Sequence, residues 1–187
     1  MGRSDRRVSW VSPQVVFDLT GDPSQIRPSY WFYALFFLGG LAMLAIAVFL
    51  RRRNWRNRNF MLVFSIFWLG FTAVATATEI TDTLRIRALV RKGELTTVEG
   101  CLDYFHPGDA GGARGGSERW SVRDVSFDYG QGDVRRGYHL VEPRGGFVHR
   151  DTRVRVSFAF SDLYDRKEIV KLAVEQPACP SAPDLGT

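Results

Sequence analysis

The sequence predicts an α+β membrane protein: a two-helix transmembrane hairpin followed by a small antiparallel β-barrel, OB-like or SH3-like, with a two-layer sandwich as the alternative. Three observations predict it. Two long runs carry no charge, five arginines crowd the short link between them, and after Gly93 the apolar spacing changes from helical to alternating.

The first run, Tyr30 to Leu50, reads YWFYALFFLGGLAMLAIAVFL; the second, Phe60 to Thr78, reads FMLVFSIFWLGFTAVATAT. At about 1.5 Å per residue each reaches roughly 30 Å, the thickness of a bilayer's hydrocarbon core. Both are apolar all round rather than along one stripe. Lipid leaves free backbone N–H and C=O groups unsatisfied, so such runs must be helical. The short link makes them antiparallel. The first run is too long for the apolar region of a signal peptide, and no small-x-small cleavage site precedes the arginines.

The link LRRRNWRNRN holds Arg51, Arg52, Arg53, Arg56 and Arg58 around Trp55. Short loops rich in Lys and Arg stay cytoplasmic, and amphipathic rings settle at membrane interfaces, which suits Trp55 and, at the other end of the first helix, Tyr30 and Trp31. The expected orientation therefore has a cytoplasmic loop and both termini outside. Arg3, Arg6, Arg7 and Arg27 before the first helix, and Arg85, Arg87, Arg91 and Lys92 after the second, pull the other way; the loop wins on density. The expected organisation is an extracytoplasmic segment 1–29, helices 30–50 and 60–80, a basic loop 51–59, a helical extension 81–93, the β-domain 94–176 and a tail 177–187.

The chain of 187 residues has a formal charge of +5. Residues 1–94 hold 13 Lys+Arg against 6 Asp+Glu, a net of +7, and residues 95–187 hold 12 against 14, a net of −2. The positive excess flanks the apolar runs. It reads as topology and attraction to lipid headgroups, not as a nucleic-acid surface.

In the first segment Val15, Val16, Phe17, Asp18 and Leu19 form a β-prone run, either an added edge strand, a membrane-surface segment or a disordered tail. In the second run Thr72/Thr76 and Ala73/Ala77 are small-xxx-small pairs, which let helices approach closely in lipid. Glu79 and Asp82 fall at the expected membrane edge, where solvation is easy. The pattern DTLRIRALVRKGE carries the helix on to a glycine stop at Gly93.

Beyond it, LTTVEGCLDYF (95–105) is expected as a strand bending at Gly100. HPGDAGGARGGSER is a loop. In ERWSVRDVSFDY a two-residue turn at Arg123–Asp124 would set Val122 opposite Val125 and Trp120 opposite Phe127, all on one face. GYHLV reads as a short strand and EPRGG as a turn. RVRVSFAF alternates, with Val154, Val156, Phe158 and Phe160 inward, and Ile169 to Val174 closes a second hairpin. Strands with one apolar face each must close or stack to bury it.

Cys101 and Cys179 make neither a disulfide framework nor a metal spacing. In an oxidising compartment they would bridge and clip the tail to the first strand; otherwise they are two unrelated thiols.

The runs VEGCLDYFHP, ERWSVRDVSFDY, GYHLV, RGGFVHRDTRVRVSF and IVKLAVE, with the glycine-rich gap, resemble an uncharacterised family of bacterial two-helix inner-membrane proteins with a C-terminal small β-domain. The likeness spans about Val15 to Val174. It implies an inner-membrane location and no particular chemistry. Arg123–Asp124, where that pattern has an Asn-Gly type turn, and the GGARGG loop depart from it. The order of parts also resembles NfeD-type membrane-anchored OB-like proteins, though the motifs do not.

Chemistry is sparse. His106, His139 and His149 lack metal spacing. Cys101 lies on an ordinary strand without a recognisable base, and neither GxSxG nor a P-loop occurs. No catalytic, cofactor or metal residues are expected. The leading expectation is a non-enzymatic accessory or scaffold subunit whose partners are the bilayer and other membrane-complex subunits or a second copy. Val15, Val16, Phe17 and Tyr138 are candidate partner contacts. A ligand-binding envelope module with a pocket in the β-domain is the alternative; an enzyme using Cys101 or the histidines ranks last.

Overall fold

A computed structural model describes residues 13–28, 30–50, 58–109, 116–130, 136–176 and 179–183. They form two compact units. A helical unit comprises Pro23–Gly93 with Phe160–Arg166, and a β unit comprises the remaining described residues.

In the helical unit, α1 (Tyr30–Leu50) and α2 (Arg58–Lys92) are antiparallel neighbours. α2 is 35 residues long, about 52 Å at 1.5 Å per residue. It runs without interruption through TATEITDT to Gly93, whose φ of 70° is the left-handed stop that a glycine accepts without penalty. The seam between the helices is tight at Gly40. A Cβ there would meet Leu69 Cδ2 at 2.7 Å. The indole Nε1–H of Trp68 donates across the seam to Phe36 O at 3.1 Å, and the Trp68 and Phe36 rings stack at 5.6 Å. The hydroxyls of Ser65, Thr72, Thr76 and Thr83 each donate to the carbonyl four residues earlier, so these four need no solvent.

The β unit has two antiparallel sheets. One has the order β1 (Gln14–Asp18), β7 (Arg166–Glu175), β6 (Arg153–Ser161) and β2 (Thr96–Cys101). The other has the order β3 (Tyr104–His106), β4 (Glu118–Val122) and β5 (Val125–Tyr129). The Val15–Phe17 run is thus an edge strand, with an irregularity between Val15 and Phe17. The β4–β5 register is Val122 to Val125 and Trp120 to Phe127. Arg123 and Asp124 both have positive φ, 48° and 66°, as a type I′ turn requires. Trp120 stacks on Phe127 at 4.4 Å, and Phe127 meets Phe158 of the other sheet edge-on at 5.3 Å. The two inner faces are therefore packed through aromatic side chains.

A closed barrel does not form. Among the described residues no ladder joins one sheet to the other. The expected single strand 95–105 is interrupted at Leu102–Asp103, where the Asp103 amide turns to Ser121 O. The chain pairs with β6 before the break and with β4 after it. Gly100 is not the bend; it stays in register opposite Val154, close to Val122. GYHLV is not a strand either. Its one ladder-like bond runs from the Tyr138 amide to Ile169 O, and three amides, of Arg144, Gly145 and Gly146, then close a tight turn over Val141 and Glu142. Two apolar faces need only stack to leave water, so burial was satisfied without a closed circuit of backbone hydrogen bonds. Phe160, expected inward, is exposed, while Ala159 and Ser161 are buried: the alternation of β6 slips at Ala159.

Candidate functional site

Glu79, Asp82, Thr83, Ile86 and Val90 recur at helical spacing on α2 and all are buried. Glu79 and Asp82 are therefore not solvated edge residues, as the sequence suggested. The turn Phe160–Arg166 covers them within the helical unit. The Ser161 hydroxyl, itself fully buried, donates to Asp82 Oδ2 at 2.7 Å, and the Tyr164 hydroxyl donates to Glu79 Oε2 at 2.5 Å. Burial first, then the Glu79 carboxylate and the neighbouring Tyr33, push the Tyr164 hydroxyl far above its ordinary pKa. Arg166 lies over the Tyr164 ring, 4.4 Å from its centroid. At the surface Arg85 pairs with Asp162. Two residues further along α2, Arg87 Nε donates to Ile26 O at 2.8 Å and ties down the segment that enters α1.

Below this polar cap the helical unit has a cavity of about 480 Å³ lined by Tyr30, Tyr33, Phe37, Ala73, Ala77 and Ile80, among others. A second, of about 410 Å³, shares Ala77 and extends past Thr81 and Asp82 to Arg85, Asp162 and Leu163. One end is apolar and the other carries a cation and an anion side by side.

The β unit holds a different polar cluster. The Trp120 indole N–H donates to Tyr129 Oη at 3.0 Å, and that hydroxyl donates to Glu118 Oε1 at 2.5 Å. The other oxygen, Glu118 Oε2, accepts the Glu142 amide at 2.5 Å, and His149 Nδ1 lies 2.8 Å from Glu142 Oε1. The chain thus runs from β4 to the 3-10 turn Glu142–Arg144 through a fully buried carboxyl group. Burial raises Glu118 from an ordinary 4.5 to about 7, against the lowering pull of the Tyr129 hydroxyl and the Glu142 amide. Burial, then the Glu118 charge, carries Tyr129 well above its usual value, and burial pushes Tyr138 to about 12. A carboxyl group enclosed by ring edges and one amide fastens a turn to a sheet.

The residues singled out from sequence are distributed as follows. Tyr30 and Trp31 stand exposed at the start of α1, Trp31 at 91 %. Arg51, Arg52, Arg53, Trp55 and Arg56 lie outside the described residues, and Arg58 is the first residue of α2. Cys101 and Cys179 are bonded, with Cα atoms 5.7 Å apart. The Cys179 and Ala182 amides donate to Asp151 O and Arg150 O, holding the tail against the β unit. Among the proposed contact residues only Val15 is freely exposed. Val16 and Phe17 pack partly against the core. Tyr138, expected at the surface, is buried: its hydroxyl accepts the Phe147 amide at 2.9 Å, and its ring meets Phe17 and Tyr129 edge-on. His139 Nδ1 lies 2.8 Å from Gly137 O. Among the described residues no three His, Cys, Asp or Glu side chains gather closely enough to hold a metal.

Sequence reasoning passed over Glu118, Glu142, Ser161 and Tyr164. For Glu118 a signal existed: it precedes Trp120 and Val122 at spacings of two and so shares their inward face. For Ser161 and Tyr164 there was none, since their partners lie 79 and 85 residues away. Comparison with family models, with curated proteins and with solved structures finds no match to this chain.

Proposed function

We propose that the chain is a non-enzymatic, membrane-anchored accessory subunit: α1 and α2 cross the bilayer as a hairpin, and the β unit makes protein contacts on the outer face. The observation that carries this reading is the exposure of the helices. Both are long and apolar enough to span a membrane. Beyond their mutual seam they present Trp31, Leu35, Phe49, Phe60, Phe67 and Phe71 to the surroundings, each more than half exposed. In water an apolar surface of that extent needs a cover; in lipid it needs none.

Two further features support the arrangement. β1 precedes both helices and β7 follows both, yet they pair, which is compatible with two crossings and not with one. The Cys101–Cys179 bond suits an oxidising compartment, which supports the reading that the β unit and both termini lie outside the cytoplasm of a bacterial inner membrane. Exposed Tyr30 and Trp31 suit the outer interface, and the arginine-rich link suits the inner one. The inner faces of the β sheets are filled by aromatic and branched side chains, and a cleft between Glu99, Arg153 and Glu175 offers about 10 Å³, room for a water at most. That favours a contact module over a pocket for small ligands.

The test is crosslinking in native membranes followed by identification of neighbours. A reproducible set of membrane subunits, or a second copy, is the expected result. A chain that migrates alone as a monomer in mild detergent, or stays soluble without detergent, contradicts the reading.

A further inference from the structure

In the β unit, segment 179–183 is a strap across the edge of the three-stranded sheet. β3 ends that sheet, and on its outer side the Phe105 amide donates to Pro183 O at 3.3 Å. The same segment reaches the loop before β6: the Cys179 amide donates to Asp151 O at 3.1 Å and the Ala182 amide to Arg150 O at 2.8 Å. The Ala182 side chain, 4 % exposed, closes into the β core. These attachments are few. Fixing the backbone of a residue costs at least as much as a net hydrogen bond returns, so three such bonds and one methyl group do not hold five ordered residues. The Cys101–Cys179 bond makes up the difference. It is also within reach: Cys101 is exposed at the end of edge strand β2, and Cys179 is half-buried. Exposed disulfides are the ones that external thiolates open.

We infer that this bond is a thiol–disulfide exchange site for a protein dithiol of the Cys-x-x-Cys class, which attacks Cys101 and so releases the strap from the edge of β3. A thiolate of the dithiol forms a bond to Cys101 Sγ as the Cys101–Cys179 bond breaks. Cys179 leaves as a thiolate and takes a proton from water. The second thiol of the dithiol, as its thiolate, then attacks the dithiol's own sulfur in the mixed disulfide, and Cys101 leaves in the same way. Two electrons pass to this chain, and the dithiol is oxidised to a disulfide. Attack at Cys101 rather than Cys179 follows from exposure. The result is a strand edge with two states. In the oxidised chain its own segment 179–183 covers it; in the reduced chain the Phe105 amide faces solvent, an unpaired edge of the kind that extended segments join. The device lies wholly within the β unit and holds whether or not α1 and α2 cross a bilayer.

The experiment uses the full chain in mild detergent, without denaturant. Thioredoxin whose second active-site cysteine is replaced by serine traps the mixed disulfide, and peptide mapping should find it on Cys101. After treatment with an excess of intact, reduced thioredoxin, the Phe105, Cys179 and Ala182 amides should exchange hydrogen on the order of tenfold faster or more, while the β4–β5 amides keep their protection. The double variant Cys101→Ser, Cys179→Ser should show the released pattern from the start, and thioredoxin should not change it. A bond that opens only in denaturant, or capture at Cys179 instead of Cys101, overturns the assignment. So does a Phe105 amide that exchanges as slowly after reduction as before. Equal loss of protection at β4–β5 also overturns it, because the bond would then hold the whole β unit and not the strap.

Discussion

In the helical unit the hidden side chains include Ser65, Thr72, Glu79, Asp82 and Thr83, while Trp31, Leu35, Phe60 and Phe67 face outward. In the β unit the pattern is reversed: Phe105, Trp120, Val148 and Leu172 are hidden, while Glu99, Arg119, Asp128 and Arg155 reach water or pair at the surface. The β unit gains by withdrawing apolar area from water, at roughly 25 cal/mol per Å². On the proposed membrane reading, the helical unit has no such gain to make in lipid. It relies on satisfied backbone, a close seam at Gly40 and hydroxyls folded back on their own helix. In each unit one buried carboxyl group is met by a phenol: Glu79 by Tyr164, Glu118 by Tyr129.

The contrast can be broken unit by unit. Trp120→Ala should cost the β unit about 3–5 kcal/mol, since it empties the centre of the aromatic stack. Hydrogen exchange should show β2–β7 losing protection while α1 and the apolar part of α2 keep theirs; equal loss in both would deny their independence. Replacing Cys101 and Cys179 by serine opens a loop with a sequence separation of 78, worth about 2–5 kcal/mol. Chemical denaturation with and without reductant should show the same loss in the wild type on reduction, and no further loss in the variant.

Glu118→Gln addresses pH. The folded-state pKa of Glu118, about 7, lies above its ordinary 4.5, so the fold favours the protonated acid. That contribution is complete below about pH 4.5 and is lost as pH rises through 7, a difference of about 3 kcal/mol. Tyr129, Glu142 and His149 face the carboxyl group in both proteins and drop out of the comparison. Denaturation midpoints should therefore converge near pH 5 and diverge by pH 8.5, with the glutamine variant more stable. Parallel midpoints would refute the assignment. Tyr164→Phe removes one bond to a buried carboxylate in the other unit and should cost about 1–2 kcal/mol, read as faster exchange in the turn Phe160–Arg166 alone. Smallest is the turn: Asn-Gly in place of Arg123–Asp124 relieves two positive-φ residues and should raise β-unit stability by about 1 kcal/mol.

What the sequence made legible follows from period and charge. Uncharged length marked α1 and α2, Gly93 marked the helix stop, and alternation placed Trp120 opposite Phe127. Alternation says which side chains share a face, not which strands share hydrogen bonds. The break at Leu102–Asp103, and with it two sheets instead of a barrel, was therefore out of reach. GYHLV looked like a strand because its composition is strand-like; the tight turn that follows and the buried Tyr138 hydroxyl decided otherwise. The burial of Glu79 and Asp82 was hidden for a simpler reason. Their partners arrive from a turn most of a domain later in the chain.

The pairing of β1 with β7 also orders events in time. Gln14–Asp18 is synthesised before either helix, and its mate, Arg166–Glu175, only after some 150 further residues. Until then the early strand has no ladder to join, and nothing about its own composition lets it stand alone. The sheet's last seam closes by bringing together the two most distant strands in the chain, the kind of long-range event that sets the pace of folding. A nascent chain arrested before Arg166 should therefore leave Val15–Phe17 open to protease, and release of the arrest should shut that window in a single step.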